Sequence, residues 1–176
     1  MQSIRTFFKE YSLVIFFSVL SPFILAPIVD AATEGSVTAT VTVTNVSLQV
    51  SDGTIAYGSL STSATMATVS GELNDSQTVT NNGNIAIDVA VKGYNSTGWT
   101  LGGTAGSETY THKTCTTTCD SSPTWTAMTT SYGSDILTGL ATSGTADVDF
   151  QVGTPTTTTD YTQQSVNVTI LATEAS

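Results

Sequence analysis

Basic residues are scarce in this chain of 176 residues. Four Lys and Arg stand against fourteen Asp and Glu, which gives a formal net charge of −10. A phosphate backbone is bound by a basic face, so this composition argues against a nucleic-acid partner. Charged residues make up only 10% of the chain and hydrophobic residues 39%, a balance that is typical of a folded protein rather than a disordered one.

Motifs for catalysis are also lacking. The sequence contains a single His, no G-x-S-x-G motif, no phosphate-binding loop, and no G-x-G-x-x-G motif after a predicted strand. Paired carboxylates without a cleft signature do not indicate a glycosidase. We therefore expect a protein that is not an enzyme and that needs no cofactor.

The first 31 residues have the pattern of a secretory signal peptide. Arg5 and Lys9 precede an apolar stretch over residues 11–29, and small residues, Val29 and Ala31, occupy positions −3 and −1 of a cleavage site after Ala31. The pattern predicts a signal peptide over 1–31, a mature domain over 32–176, and a secreted or cell-surface protein. The alternative is a retained signal anchor, which would be the chain's one contact with a membrane.

The mature chain begins with strict alternation over residues 37–44, where Val or Ala occupies odd positions and Thr even positions. After Asn45 the apolar residues move to even positions. Since a strand cannot change phase without a bulge or a bend, two interpretations remain open. The segment either pairs within its own domain, which we prefer, or forms a separate arm that pairs with a neighbouring chain.

Short alternating segments continue to the C-terminus, with turn signals about every ten residues. Asn-Asn-Gly-Asn at 81–84 predicts a hairpin turn, because Asn and Gly accept positive φ. The pattern favours an all-β antiparallel sandwich of about seven to nine strands, with functional side chains on the long 102–123 connection. Predicted strands cover 37–44, 46–50, 55–57, 76–80, 85–92, 99–101, 123–128, 147–152 and 166–172. The predicted core comprises Ile87, Val89, Val91, Val148, Phe150, Val166, Val168 and Ile170.

Two segments resemble the strand–turn–strand units of bacterial extracellular Ig-like domains. They are T-V-T-N-N-G-N-I-A-I-D-V-A-V-K-G at 78–93 and the Thr-rich stretch at 140–170. The mature chain as a whole is similar to small uncharacterised secreted Thr/Ser-rich surface proteins of bacteria. The resemblance implies a single Ig-like β-sandwich, and it carries over no catalytic residue.

The two cysteines lie in the pattern His112-x-x-Cys115-x-x-x-Cys119. An even number of cysteines in an exported chain predicts a disulfide, here one that closes a small loop. The alternative is a metal site formed by His112, Cys115 and Cys119. A second alternative metal site, for calcium, uses Asp147 and Asp149, which share one face of a predicted strand; strand carboxylates of this kind usually face water.

Aromatic residues gather in sequence around the 102–123 connection. A binding loop for a glycan or a protein receptor would use Tyr94, Trp99, Tyr110, His112 and Trp125. The leading hypothesis is nevertheless a non-enzymatic structural protein at the cell surface. Its partner would be another copy of itself, in a homo-oligomer or filament built by strand addition, or a cell-envelope polymer.

Overall fold

The computed structural model describes residues 34–176, so the predicted signal peptide over 1–31 lies outside the described residues. The chain divides into two units, of which the first ends at Val41 and the second comprises Thr42–Ser176. In the first unit the described residues, 34–41, are exposed and form no strand. The second unit contains every strand described below.

The described residues form ten strands and no helix, so the predicted all-β class is confirmed at that level. Among residues 34–176 there is accordingly no helix that is long and apolar enough to cross a membrane. The strands are β1 (Leu48–Val50), β2 (Thr65–Ala67), β3 (Gln77–Asn81), β4 (Ile87–Gly93), β5 (Thr100–Leu101), β6 (Thr109–Cys115), β7 (Thr126–Ala127), β8 (Leu137–Leu140), β9 (Thr145–Gly153) and β10 (Val168–Glu174).

The strands form a large sheet and a small sheet. The large sheet has the order β1-β3-β9-β6-β5, with β2 paired to β9 and β7 paired to β6. The small sheet has three strands in the order β10-β4-β8. All pairs are antiparallel except β5 and β6, which run parallel over two residues each. The expectation of a purely antiparallel fold is therefore wrong at this edge. The chain turns at Glu108, just before β6, where the backbone φ is 53°.

One hydrophobic core is shared by the two sheets. It contains β4 residues from the small sheet, such as Val89, and β9 residues from the large sheet, such as Phe150. Five of the eight predicted core residues are buried: Ile87, Val89, Val91, Val148 and Phe150. The other three, Val166, Val168 and Ile170, are only half-buried against this core, which leaves it partly open on the side of β10.

Three strands were not predicted, and two predicted strands, 37–44 and 55–57, are absent from the described residues. The strands β2 and β8 are short, and apolar and polar residues do not alternate regularly along them. Strand β6 lies inside the supposed 102–123 connection, so the prediction of one long loop there is wrong. His112 and Lys113 interrupt its apolar pattern, although His112 is buried and Lys113 is not. Residues 55–57 pair with no strand among the described residues.

Candidate functional site

A groove of about 1370 Å³ opens beside the core. Most of its lining comes from three parts of the second unit: the large sheet, with residues such as His112 and Phe150, the strandless segment 53–62, and the stretch from Tyr161 to Ile170. The rest of the lining consists of Trp99, Thr154, Pro155 and Thr158. Because β10 lines the groove while β4 and β8 do not, the groove lies at the outer edge of the small sheet.

The outer edge of β10 has no partner within the described part of the chain. The strand pairs with β4 along its whole length, from Val168 opposite Gly93 to Glu174 opposite Ile87, and it ends the small sheet. Its seven residues include no Lys, Arg or Pro, and its one charged residue, Glu174, lies at the very end of the strand, so charged side chains and Pro do not protect most of this edge. The backbone N–H and C=O groups on that edge are therefore available for pairing with another strand.

His112 lies on the large-sheet side of the groove and is 2% exposed. Its Nε2 lies 3.1 Å from the Tyr57 hydroxyl, whereas its Nδ1 has no hydrogen-bond partner among the described residues. Burial lowers the pKa of His112 to about 4 and raises the pKa of Tyr57. At neutral pH both side chains are therefore uncharged.

The groove carries no formal charge at neutral pH. Among the described residues that line it, none is Asp, Glu, Lys or Arg. Its apolar lining includes Ile55, Leu60, Val166, Val168 and Ile170, and all five side chains are half-buried. The groove therefore presents an uncharged, largely apolar surface on a chain whose net charge is −10.

A second unpaired feature precedes β1. No strand includes residues 34–47, although residues 37–44, which we call the arm, have the strict alternation of a strand. Val37, Val41 and Val43 are 94%, 90% and 78% exposed. Within the described residues the preferred expectation, that this segment pairs within its own domain, is therefore wrong.

The end of the arm is fixed by the turn at 81–84. The Asn84 side chain donates to the Val43 carbonyl at 2.8 Å and accepts from the Asn45 backbone N–H at 2.7 Å. The Asn84 N–H in turn donates to the Asn45 carbonyl at 3.1 Å. The phase change at Asn45 therefore marks the point where the arm ends and the anchored chain begins.

Glycine is needed at position 83 for a different reason from the one predicted. Gly83 does not adopt positive φ, so the prediction of a turn that depends on positive φ at this residue is wrong. A Cβ at this position would lie 2.2 Å from the Asn45 carbonyl oxygen, which is closer than any side chain tolerates. Glycine is required here because the backbone that follows the arm passes directly over it.

Cys115 and Cys119 form a disulfide, as predicted from the sequence. Their Cα atoms lie 5.8 Å apart, and the bridge joins the end of β6 to the following turn. The alternative metal site would need both thiolates, which the disulfide consumes. Within residues 34–176, no group of three or more His, Cys, Asp or Glu side chains is placed to hold a metal ion.

Asp147 and Asp149 both belong to β9, but their environments differ. Asp147 accepts a hydrogen bond from Thr78 at 2.7 Å near the surface. Asp149 is 6% exposed and accepts from the hydroxyls of Thr68 at 2.7 Å and Ser76 at 2.5 Å. Asp149 therefore links β9 to the neighbouring segments, and the expectation that it faces water is wrong.

The structure brings two residues of the predicted binding loop together in the lining of the groove, Trp99 and His112, and it places Tyr94, Tyr110 and Trp125 outside that lining. Tyr110 is buried, and its hydroxyl donates to the Tyr94 carbonyl. Trp99 is half-buried and donates to Thr158 at 3.1 Å, and Trp125 packs against the disulfide region. Tyr94 alone of these aromatic rings is exposed, at 38%.

Tyr94 instead forms a small surface cluster that the sequence did not indicate. The Lys92 amine lies 5.0 Å from the centre of the Tyr94 ring and 4.9 Å from that of Tyr132. The Tyr94 hydroxyl lies 3.0 Å from the Thr169 hydroxyl on β10. Lys92 and Tyr94 are close in the sequence, whereas Tyr132 is distant and is brought to them by the fold.

Comparison with known proteins returned no matching family model, no matching curated protein and no matching solved structure.

Proposed function

We propose that this is an exported, non-enzymatic structural protein whose chains assemble with one another by strand addition, each chain donating its arm. The observation that carries this proposal is the arm itself. Residues 37–44 alternate as a strand does, yet they belong to no strand, and their three valines are among the most exposed apolar side chains described. Pairing with a sheet edge of another chain would satisfy both the backbone and the valine face.

The anchoring of the arm supports the same function. Asn84 and Gly83 fix the chain at Val43 and Asn45, so the arm begins at a defined point rather than from a loose terminus. A fixed starting point reduces the conformational entropy that is lost when the arm pairs. Such a contact is directional, because the arm of one chain binds a different surface on the next chain. Repeating a directional contact produces open filaments or closed rings.

The proposed export of the protein and the proposed Ig-like type of its sandwich are inferred mainly from the sequence. The pattern over 1–31 indicates export, and the disulfide is compatible with an oxidising compartment. The shared core of the two sheets is consistent with the Ig-like sandwich that the 78–93 and 140–170 segments resemble.

Electron microscopy and analytical ultracentrifugation of the mature chain test this function. Protein comprising residues 32–176 is expected to form filaments or rings, and protein lacking residues 32–45 is expected to remain monomeric with the same far-ultraviolet circular dichroism. A full-length mature protein that is monomeric at high concentration would contradict assembly. A truncated protein that fails to fold would show that residues 32–45 are part of their own domain.

A second candidate function is a binding module for a glycan or a receptor. The observation that favours it is the exposed pair Tyr94 and Tyr132 around the Lys92 amine, since exposed aromatic rings stack on sugar rings. A glycan array probed with the mature protein, and with the Tyr132→Ala variant as control, tests it. Binding that Tyr132→Ala abolishes would favour this function over assembly.

A further inference from the structure

We propose that the groove beside β10 is the acceptor site for the arm of a second copy of this chain, whose backbone pairs with the free edge of β10. This inference rests on the proposed assembly by strand addition and adds the surface that receives the donated strand. It makes each chain a donor through residues 37–44 and an acceptor through residues 50–62 and 161–174.

Backbone pairing favours β10 over the other edges. Within residues 34–176, β10 is the longest strand that pairs on one side only, with seven residues against three in β1 and four in β8. The eight residues of the arm span about 26 Å when extended, and the seven of β10 span about 23 Å. The arm therefore fits along β10 with one residue left over, whereas β1 and β8 would each leave at least half of it unpaired.

The side chains are complementary as well. The odd positions of the arm are apolar, and a strand added to β10 turns one face toward the large sheet. The groove offers that face a set of half-buried apolar side chains, Ile55, Leu60, Val166, Val168 and Ile170. Insertion of the arm would complete their burial, while the Thr residues at even positions would remain in water.

Charge favours this contact over others between identical chains. Two copies that each carry many more acidic than basic residues repel one another over most of their surfaces. Residues 37–44 contain no charged side chain, and the described lining of the groove contains none. The one charged residue of β10 is Glu174, which is exposed at the end of the strand, so the two surfaces can meet without burying an unpaired charge.

The floor of the groove also has a polar group without a partner. His112 is 2% exposed and lines the groove, and its Nδ1 makes no hydrogen bond within the described part of the chain. A buried polar atom of this kind is normally paired. A strand lying over the floor brings further backbone N–H and C=O groups, and Thr hydroxyls, to this region.

Intermolecular crosslinking of full mature chains tests the acceptor site. The two native cysteines are paired, so each engineered chain has one free thiol. Chains with Val41→Cys are mixed with chains carrying either Asn167→Cys, in the groove just before β10, or Gln49→Cys, on the free edge of β1, and are treated with a short bismaleimide. Both acceptor positions are exposed polar residues next to an unpaired edge, which makes them matched.

We expect on the order of tenfold more crosslinked product with Asn167→Cys than with Gln49→Cys, because docking raises the local thiol concentration. Hydrogen exchange in a peptide covering 166–174 is expected to slow on assembly. Crosslinking at Gln49→Cys instead, in chains that still assemble, overturns the acceptor site but leaves strand addition intact. Chains that neither crosslink nor sediment as oligomers contradict both proposals, as does an intrachain crosslink in a monomeric Val41→Cys/Asn167→Cys double variant.

Discussion

The alternation of the arm gives a sharp prediction, because substitutions at neighbouring residues should weaken assembly to very different extents. Val41→Ala removes two carbon groups from the face that would be buried, and Thr42→Ala changes the face that would stay in water. Val41 is 90% exposed in the single chain, so nearly all of its burial would be gained on assembly. Neither substitution should alter the thermal unfolding of the unassembled chain, since no strand includes either residue.

The magnitude follows from the buried surface. Each buried CH₂-sized group contributes about 0.8 kcal/mol, so Val41→Ala is expected to weaken the contact by about 1.5 kcal/mol. That difference corresponds to a rise of roughly tenfold in the critical concentration for assembly. Thr42→Ala is the matched control, because both changes replace a β-branched residue by Ala and lose similar strand propensity.

Sedimentation of assembled protein over a range of total concentrations measures the critical concentration of each variant. The expected result is a critical concentration about tenfold higher for Val41→Ala and within about twofold of the wild type for Thr42→Ala. Equal shifts in the two variants would refute the reasoning, because the arm would then not bury one face. A larger shift for Thr42→Ala would place the threonine face in the contact instead.

Three further predictions concern the remaining features. Gly83→Ala is expected to displace the backbone at Asn45 and to lower the free energy of unfolding by about 1–3 kcal/mol in urea denaturation, whereas Gly103→Ala, which has open space around its Cβ, is expected to be neutral. The pKa of His112 is lowered to about 4 in the folded chain, so as the pH falls this side chain is protonated in the unfolded chain before it is protonated in the folded one. The free energy of unfolding should therefore fall by up to about 3 kcal/mol as the pH drops from about 6.5 to about 4. The His112→Gln variant should show a flatter dependence of stability on pH over this range. Replacing both Cys115 and Cys119 by Ser should cost about 2 kcal/mol, and thiol labelling of the denatured wild type should find no free thiol.

Much of the fold was predictable because strand alternation is a local signal. Strands β4 and β9 follow it closely, and Val89 and Phe150 are buried as expected. Strand β6 was missed because His112 is a polar residue at an interior position. Its burial depends on Tyr57, 55 residues away, and no local pattern reveals such a partner.

The candidate site was less predictable for the same reason. The arm was visible as an alternating segment, but its unpaired state depends on which strands occupy the sheet edges, and that is set by the whole topology. The anchor at Asn84 was read as ordinary turn chemistry, although its side chain contacts Val43 and Asn45. The groove arises from residues between positions 50 and 170, so it exists only once both sheets have formed.

The exposed arm and the open core have one physical explanation in common. A chain of this size normally buries the valines of a regular strand, yet Val41 and Val43 remain in water while Val168 and Ile170 are only half-buried. Each feature alone leaves apolar surface unburied. The arm is a strand-like segment with no sheet edge to pair with, and β10 is a sheet edge with no strand paired to it. Pairing the arm of one copy with the groove of another would remove both exposures at once, and neither the arm nor the described lining of the groove carries a charged side chain. This complementarity between the arm and the groove is the basis on which we propose assembly between copies.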